Sequence, residues 1–320
     1  MTTVRAGLIG LGVMGRHHLR VLNELSGVDF IGLHDPFVNP STIPGQYTVH
    51  PTIEGLLDAK PDYCVVAAPT AFHLELGLRL AERGIHALIE KPVAQNLAEA
   101  TQLVDAFTAA GLVGAVGHIE RFNPALQAMR TKLEEGVLGA IFQITTRRQG
   151  PFPARIADVG VVKDLATHDI DLTAWIAGSR YAEVSARTSH RSGRPHEDMV
   201  LAVGHLENGI IVNHVVNWLT PFKERNVTVL GENGALVADT LTADLTLYRN
   251  GRSEGNWSGI SDFRGVSEGD ITRFALVKNE PLAVEHQRFR DAVVGRHETG
   301  IVTLRDGLDA VRVADLMIAR

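Results

Sequence analysis

The segment Gly10-Leu11-Gly12-Val13-Met14-Gly15 constrains this chain more than any other. It follows an apolar run, Val4–Ile9, that reads as a strand, and it opens Val13–Leu25, which reads as a helix. Strand, glycine turn and helix in that order build the phosphate-binding corner of a βαβ unit. Gly10 permits the tight turn, Gly12 lets backbone approach a pyrophosphate, and Gly15 lets helix and strand pack closely. The first helical residues, Val13 and Met14, bring unpaired N–H groups and the positive dipole end toward the phosphates. The next strand, Val28–Leu33, should end in an acid, and Asp35 stands there. Its carboxylate would accept hydrogen bonds from both adenosine ribose hydroxyls and repel a 2′-phosphate. Pro36-Phe37 follows rather than an arginine, so NAD is expected over NADP.

The same rhythm continues to about residue 120. Tyr63–Ala68, His86–Ile89 and Leu112–Val116 read as strands, with helices at Ala71–Arg83 and Leu97–Ala110. Short apolar runs separated by helices signify a parallel sheet, here a Rossmann domain over residues 1–120. The pattern then changes. Asn123-Pro124 starts a helix that runs to Glu135, 140–149 reads as a strand, and Asp164–Ile176 is helical. Glu183–Ser189, Met199–His205, Ile210–Asn217, Arg225–Leu230, Gly234–Asp239 and Asp244–Tyr248 alternate on short turns, which means an antiparallel sheet. Residues 251–270 are expected to form an irregular, mobile loop, and Pro281–Val294 and Arg305–Ala319 to form closing helices. The expected architecture is an α/β Rossmann domain plus an α+β domain, 121–320, with a large, mainly antiparallel open-faced sheet. Its C-terminal helices should pack back toward the N-terminal domain, and its open sheet face should make a homodimer or homotetramer.

Composition narrows the partners. A net charge of -6 argues against nucleic acid, which needs a basic surface. The one cysteine, Cys64, lies in an apolar run, which excludes an intrachain disulfide or a zinc-thiolate cluster and fits a reducing compartment. Val4–Met14 could mimic a signal peptide, yet it is glycine-rich and leads into Arg16-His17-His18 rather than a small-residue cleavage site. No window holds the roughly 18 uninterrupted apolar residues of a membrane span. The expectation is a cytoplasmic protein with no membrane partner.

Two further segments carry chemistry. Leu88-Ile89-Glu90-Lys91-Pro92 ends the fourth strand, where ligands of open parallel sheets bind, and a lysine there can reach the nicotinamide side of the cleft. Asp164 and His168 are four apart, which on an α-helix stacks them on one face. Alcohol oxidation sends a hydride to the nicotinamide while a base takes the hydroxyl proton. An imidazole suits that task near neutral pH, so His168 is the expected base, with Asp164 orienting it or the substrate and Lys91 polarising the same oxygen. Lys91 could exchange roles with His168. A metal held by Asp164, His168 and Asp171 is the lesser alternative, because the cofactor already supplies the electron sink; no metal is expected.

These stretches together resemble the Gfo/Idh/MocA family of dehydrogenases. The match lies in Gly7–Leu22, Ala67-Ala68-Pro69-Thr70-Ala71-Phe72-His73, Glu90-Lys91-Pro92 and Asp164-Leu165-Ala166-Thr167-His168-Asp169-Ile170-Asp171, in family order. The resemblance implies that Ala68, Pro69, Thr70, His73 and Glu90 line the cofactor. It also implies that Lys91 contacts nicotinamide ribose and substrate, and that Asp164 and His168 supply substrate-side polar groups. One departure bears on loop geometry and substrate choice: Asp158-Val159-Gly160-Val161-Val162-Lys163 stands where the family usually runs glycines. That segment and Gly117-His118-Ile119-Glu120-Arg121-Phe122-Asn123-Pro124-Ala125 resemble the branch that oxidises nucleotide sugars, which implies UDP-N-acetylglucosamine oxidised at its 3-position.

His118, Arg121 and Asn123 are then expected near the substrate. Arg121 would bind a diphosphate and Asn123 would cap a helix whose N-terminus attracts anions, unless Arg121 pairs with Glu120 or a neighbour. Arg147, Arg148 and Arg155 are further possible phosphate donors. His190, His196, His205 and His214 read as sheet-surface or interface residues, Trp175 as packing for the helix of Asp164 and His168, and Trp218 as a border of the substrate cleft. The alternatives are a dehydrogenase of a free polyol or monosaccharide such as inositol, and a non-catalytic dinucleotide-bound regulator.

Overall fold

A computed structural model describes residues 3–39, 47–153, 159–251, 268–295 and 300–319. Its contacts divide the chain into two compact units: Met1–Ile119 with Glu280–Asp315, and Glu120–Asn279 with Leu316–Arg320.

The first unit is built on five strands, β1 (Val4–Ile9), β2 (Val28–His34), β3 (Tyr63–Val66), β4 (His86–Glu90) and β5 (Gly114–Gly117). They pair in parallel in the order β2-β1-β3-β4-β5. Helices α1 (Val13–Glu24), α2 (Ile53–Asp58), α3 (His73–Glu82) and α4 (Leu97–Ala109) connect them. A sheet covered on both faces needs apolar residues at successive positions, and every residue of β3 is buried. Leu8, Leu22, Leu33, Val65 and Leu88 meet in one core with Phe289, whose ring lies edge-on to Tyr63 at 5.3 Å. The strand order reverses between β1 and β3, so the ligand crevice of such a sheet opens outside the carboxyl ends of those two strands.

The second unit begins with α5 (Pro124–Glu134), whose cap Asn123 accepts from the Ala125 N–H. Strand β6 (Ile141–Pro151) follows, then a π-helical turn, Val162–Ala166, that runs into α6 (Thr167–Ala177). The remaining strands are β7 (Tyr181–Ser189), β8 (Met199–Leu206), β9 (Ile211–Asn217), β10 (Leu219–Gly231), β11 (Gly234–Asp239), β12 (Asp244–Asn250) and β13 (Glu268–Arg273). They form one eight-stranded sheet, β13-β12-β11-β10-β6-β9-β8-β7, antiparallel throughout except for the β6–β9 pair. One face is buried through Ile144, Val212, Val216, Val229, Leu236 and Leu247. The chain then supplies α7 (Pro281–Val293) and α8 (Leu304–Ile318), most of which lie in the first unit.

Two expectations need correction. Strand β10 starts at Leu219 rather than Arg225, because its early part pairs with β6 across an irregular register between Leu219 and Glu224. Residues 268–270, expected in a loop, belong to β13, whose Ile271 pairs with Tyr248 of β12. The rest of that expected loop, 252–267, lies outside the described residues.

Candidate active site

The glycine loop has the geometry its spacing requires. Gly10 sits at φ +92°, and a Cβ there would lie 2.7 Å from the Ala67 backbone. A Cβ on Gly15 would lie 2.2 Å from the Gly10 carbonyl oxygen. Gly12, by contrast, would put its Cβ into open space, with nothing within 4 Å. It is also the N-cap of α1, with no side-chain cap and no acid in the first turn. The N–H groups of Val13, Met14 and Gly15 therefore face outward with no intrahelical acceptor, a cradle that suits a pyrophosphate. Asp35 closes the loop: its Oδ2 accepts from the Leu11 N–H at 2.7 Å and its Oδ1 from the Phe37 N–H at 2.8 Å. Each oxygen keeps lone-pair capacity for a ribose hydroxyl. These residues fit an NAD molecule.

After β3 the chain passes through Ala67, Ala68 and Pro69 into a 3-10 turn, Thr70–Phe72, beside this cradle. Pro69 is exposed and Ala68 and Thr70 are half-buried. His73 is not, and here the expected cofactor contact is corrected. Its ring is buried, with Nδ1 2.9 Å from the Pro92 carbonyl and Nε2 2.9 Å from the Ala68 carbonyl. Both polar atoms are spent in fastening the β3 loop to the Glu90-Lys91-Pro92 loop. Burial holds this imidazole below its ordinary pKa, against the pull of the two carbonyls. Glu90 is corrected likewise. Its carboxylate points inward to His18 Nε2 at 2.8 Å and accepts from the Lys91 N–H at 3.2 Å. Lys91 itself is half-buried, and the Lys91–Pro92 peptide is cis. His118, just past β5, is buried, and its N–H donates to the Val116 carbonyl.

In the second unit, Asp164 lies in the π turn and His168 in the first turn of α6; both are buried, 5% and 9% exposed. The expected uninterrupted α-helix from Asp164 is thus replaced by a wider turn, a local feature frequent at functional sites. Glu197, which sequence reasoning passed over, fixes that turn. Its Oε1 accepts from the Val162 N–H at 3.0 Å, and its own carbonyl accepts from the Val161 N–H at 2.9 Å. Gly160 makes room for it, since a Cβ there would fall 2.0 Å from the Glu197 carboxylate. The glycine inside Val159–Val162 was the available signal.

Beneath α6 lies a layer of buried charge. Arg148 donates from Nε to Asp169 and from Nη1 to Glu120, each at 2.9 Å. The Arg148 guanidinium holds Glu120 below the ordinary carboxylate range despite burial, whereas burial leaves Asp169 above it. Arg121 grips Asp171 with both prongs, at 2.7 and 2.5 Å. Its expected role as a diphosphate donor is corrected: a phosphate would have to displace a carboxylate from a buried bidentate pair. Asn123 is occupied too, capping α5 and donating to the Thr240 carbonyl at 3.0 Å. Arg147 and Arg148 point to opposite sheet faces, the former exposed beside Glu224 and the latter enclosed; Arg155 lies outside the described residues.

His214 also departs from expectation. It is buried on the covered face, its ring nitrogens bonded to Thr146 Oγ1 at 2.7 Å and to the Tyr181 hydroxyl at 2.8 Å. Burial lowers its pKa to about 4. His190 and His205 are exposed and His196 half-buried. Trp175 of α6 lies under two guanidinium groups, Arg130 at 5.3 Å and Arg121 at 5.9 Å, and Trp218 is buried against Phe152. Cys64 is a buried core residue whose thiol is pushed up by burial. Among the described residues no group of three His, Cys, Asp or Glu side chains has metal-holding geometry, and no helix is long and apolar enough to cross a membrane.

Comparison with known proteins agrees with this geometry. Residues 4–118 match the model of an oxidoreductase family with an NAD-binding Rossmann fold, and residues 126–237 match the GFO/IDH/MocA C-terminal domain. UDP-N-acetylglucosamine 3-dehydrogenase of Acidithiobacillus ferrooxidans is 28% identical over 298 residues, 92% of this chain and 90% of that protein. Inositol 2-dehydrogenase 2 of Saccharopolyspora erythraea is 30% identical over 222 residues, 66% of each chain. A solved structure of the A. ferrooxidans enzyme superposes with a TM-score of 0.85 at 25% identity, covering 99% of this chain and 96% of that one. The chain belongs to the GFO/IDH/MocA family and is a nicotinamide-dependent dehydrogenase acting on CH–OH groups.

Proposed function

We propose that this enzyme oxidises a nucleotide sugar, UDP-N-acetylglucosamine at its 3-hydroxyl, with NAD. The observation that carries the reading is the similarity, over 92% of the chain, to a dehydrogenase of that substrate. NAD is favoured over NADP by Asp35, whose anionic oxygens suit two ribose hydroxyls and would repel a 2′-phosphate. The bound cofactor supplies the hydride acceptor. His168 takes the hydroxyl proton as general base, Asp164 orients it or the sugar, and Lys91 polarises the oxygen being oxidised. Pro69 and Thr70 border the cofactor beside the cradle of Gly10, Gly12, Val13, Met14 and Gly15.

The second reading is a free polyol or monosaccharide. It is favoured by the inositol dehydrogenase relative, and by the commitment of Arg121 to Asp171 and of Arg148 to Asp169 and Glu120, which removes two expected diphosphate donors. Turnover assays with NAD and a panel of UDP-sugars and polyols, read by NADH absorbance, separate the two. UDP-N-acetylglucosamine is expected to be oxidised, UDP alone to compete, and Lys91→Ala and His168→Ala each to lose roughly 100-fold or more in kcat. Inositol turnover that UDP does not inhibit would move the assignment to the second reading.

A further inference from the structure

The sheet of the second unit carries a cation that the reaction described above does not use. Arg225 of β10 stands directly across from Arg148 of β6, so both side chains leave the same face of the sheet. It is the covered face, which also holds Val227 and Val229 at alternate positions of β10. On its other side the Arg225 carbonyl accepts from the Thr240 N–H at 2.9 Å, which fixes the backbone. The two arginines differ in company. Arg148 is 2% exposed and donates to Asp169 and to Glu120, each at 2.9 Å. Arg225 is half-buried, and among the described residues no carboxylate lies within ion-pair distance of it and no oxygen accepts from its guanidinium. Asp169 Oδ2 is buried with no donor on it, yet Arg225 does not turn to it; the Arg225 nitrogens keep contact with solvent instead. The charges that act on this guanidinium are those of Arg148, Glu120, Asp169 and Asp164, the last being the substrate-side carboxylate of the π turn.

We propose that Arg225 is a specificity-determining residue that binds the anomeric phosphate of the substrate, so that the enzyme prefers a sugar phosphorylated there, as a nucleoside diphosphate sugar is, to the free sugar. This rests on the reading of the substrate as a nucleotide sugar. Burial first, and then the neighbouring Arg148 charge, hold the Arg225 guanidinium below the ordinary arginine value, and the pull of Glu120, Asp169 and Asp164 does not make up the difference. Arginine nonetheless keeps its proton. The position therefore holds a positive charge that its surroundings compensate too little, and an anion arriving from solvent compensates it. The nearby carboxylates do not do so, because Glu120 and Asp169 are already bonded to Arg148 and Asp164 is set in its turn, its N–H donating to the Gly160 carbonyl at 3.1 Å. A phosphoryl group brings both the charge and the paired oxygens that match a guanidinium fork. It also needs no existing ion pair to break, unlike a phosphate offered to Arg121 or Arg148. The ring of such a sugar separates its anomeric phosphate from its 3-hydroxyl, and Arg225 and Asp164, on separate elements, are suited to read the two ends.

The test is calorimetric titration of the full chain, with NADH present so that no oxidation occurs, using UDP-N-acetylglucosamine, N-acetylglucosamine 1-phosphate and N-acetylglucosamine. The wild-type protein should bind the phosphorylated probes at least about tenfold more tightly than the neutral sugar. Arg225→Met keeps the length of the stem and removes the charge. It should weaken the phosphorylated probes by about 10- to 100-fold and the neutral sugar by no more than about twofold. Arg225→Lys keeps the charge without the fork and should fall between the two. If Arg225→Met does not fold by circular dichroism, Arg225→Lys carries the test, and its preference for phosphate should drop by about threefold or more. A wild-type protein that binds the 1-phosphate but not the UDP-sugar, with the same dependence on Arg225, would remove the nucleotide reading and uphold the role of Arg225. Equal loss of all three probes in Arg225→Met, or a lowered melting temperature with the preference intact, would make Arg225 a member of the charged layer alone and overturn the proposal. A wild-type protein with no preference for the phosphorylated probes would overturn it as well.

Discussion

Gly12 lacks a side chain for the sake of something outside the polypeptide. A Cβ at Gly10 or Gly15 would strike the chain's own backbone, but at Gly12 it would meet nothing. Gly12→Ala should therefore fold with an unchanged melting temperature and yet lose NAD affinity by about tenfold or more, since overpacking typically costs 1–3 kcal/mol. Calorimetric titration with NAD reads this, and unaltered affinity would remove Gly12 from the cofactor site. The loop and Asp35 were legible because their geometry is local. Arg121 and Glu90 were misread because their partners, Asp171 and His18, lie 50 and 72 residues away, and residue type alone does not say which way a charge faces. His214 was legible in principle, for it shares its sheet face with the buried Val212 and Val216. Its folded pKa of about 4 sits below the ordinary histidine value of about 6.5, so the unfolded chain binds a proton there that the native chain refuses. Stability from this group is fully present above pH ~6.5 and is lost as pH falls toward ~4, by about 1.4 kcal/mol per unit at most. Urea unfolding at stepped pH checks it. The His214→Gln variant should flatten that part of the slope, and an unchanged slope would mean the ring is already charged in the fold.

At the scale of elements, the turn that carries Asp164 was the least legible part of the site. Spacing of four residues implies one helix face only at 3.6 residues per turn, and the π turn over Val162–Ala166 departs from that. What sets the departure is a contact across 37 residues, Gly160 under Glu197, with the Val162 N–H held by the Glu197 carboxylate. Gly160→Ala is expected to push that carboxylate away, freeing the turn, and to lower kcat by about tenfold while sparing NAD affinity. Glu197→Ala should do similar harm by removing the acceptor, and the double variant should cost little more than either single one, because both break the same contact. Fully additive losses in kcat would show that the two residues act separately. Strand existence followed from alternation, but the parallel β6–β9 pair did not, because alternation says which residues share a face and not which strands are neighbours.

For the molecule as a whole, the unpartnered face of the eight-stranded sheet is the feature with the largest unmet demand. Leu201, Val203, Ile211 and Ile271 stand there about half exposed, with Leu230 and Tyr248 beside them. Several amides at the middle of that face are bonded within it: Asn213 accepts from Gln143 and Thr145, and Asn217 donates to Gln149. A surface so arranged gains by losing water and loses little by giving up hydrogen-bonding solvent. A second copy of the same sheet is the self-complementary partner expected of a homodimer, or of a homotetramer built from it. Val203 is cross-strand from Ser185 and Asn213, with Leu201 two residues along its own strand and Arg187 diagonal to it on β7, so Val203→Glu is paired with Val203→Lys, which that arginine repels. In a two-fold interface either charge enters twice, and each buried unpaired charge costs several kcal/mol. Sedimentation velocity should show the wild-type protein as an assembly and both variants as monomers with the same circular dichroism spectrum. A wild-type monomer at micromolar concentration, or an unchanged mass in the variants, would mean that this face meets something other than itself.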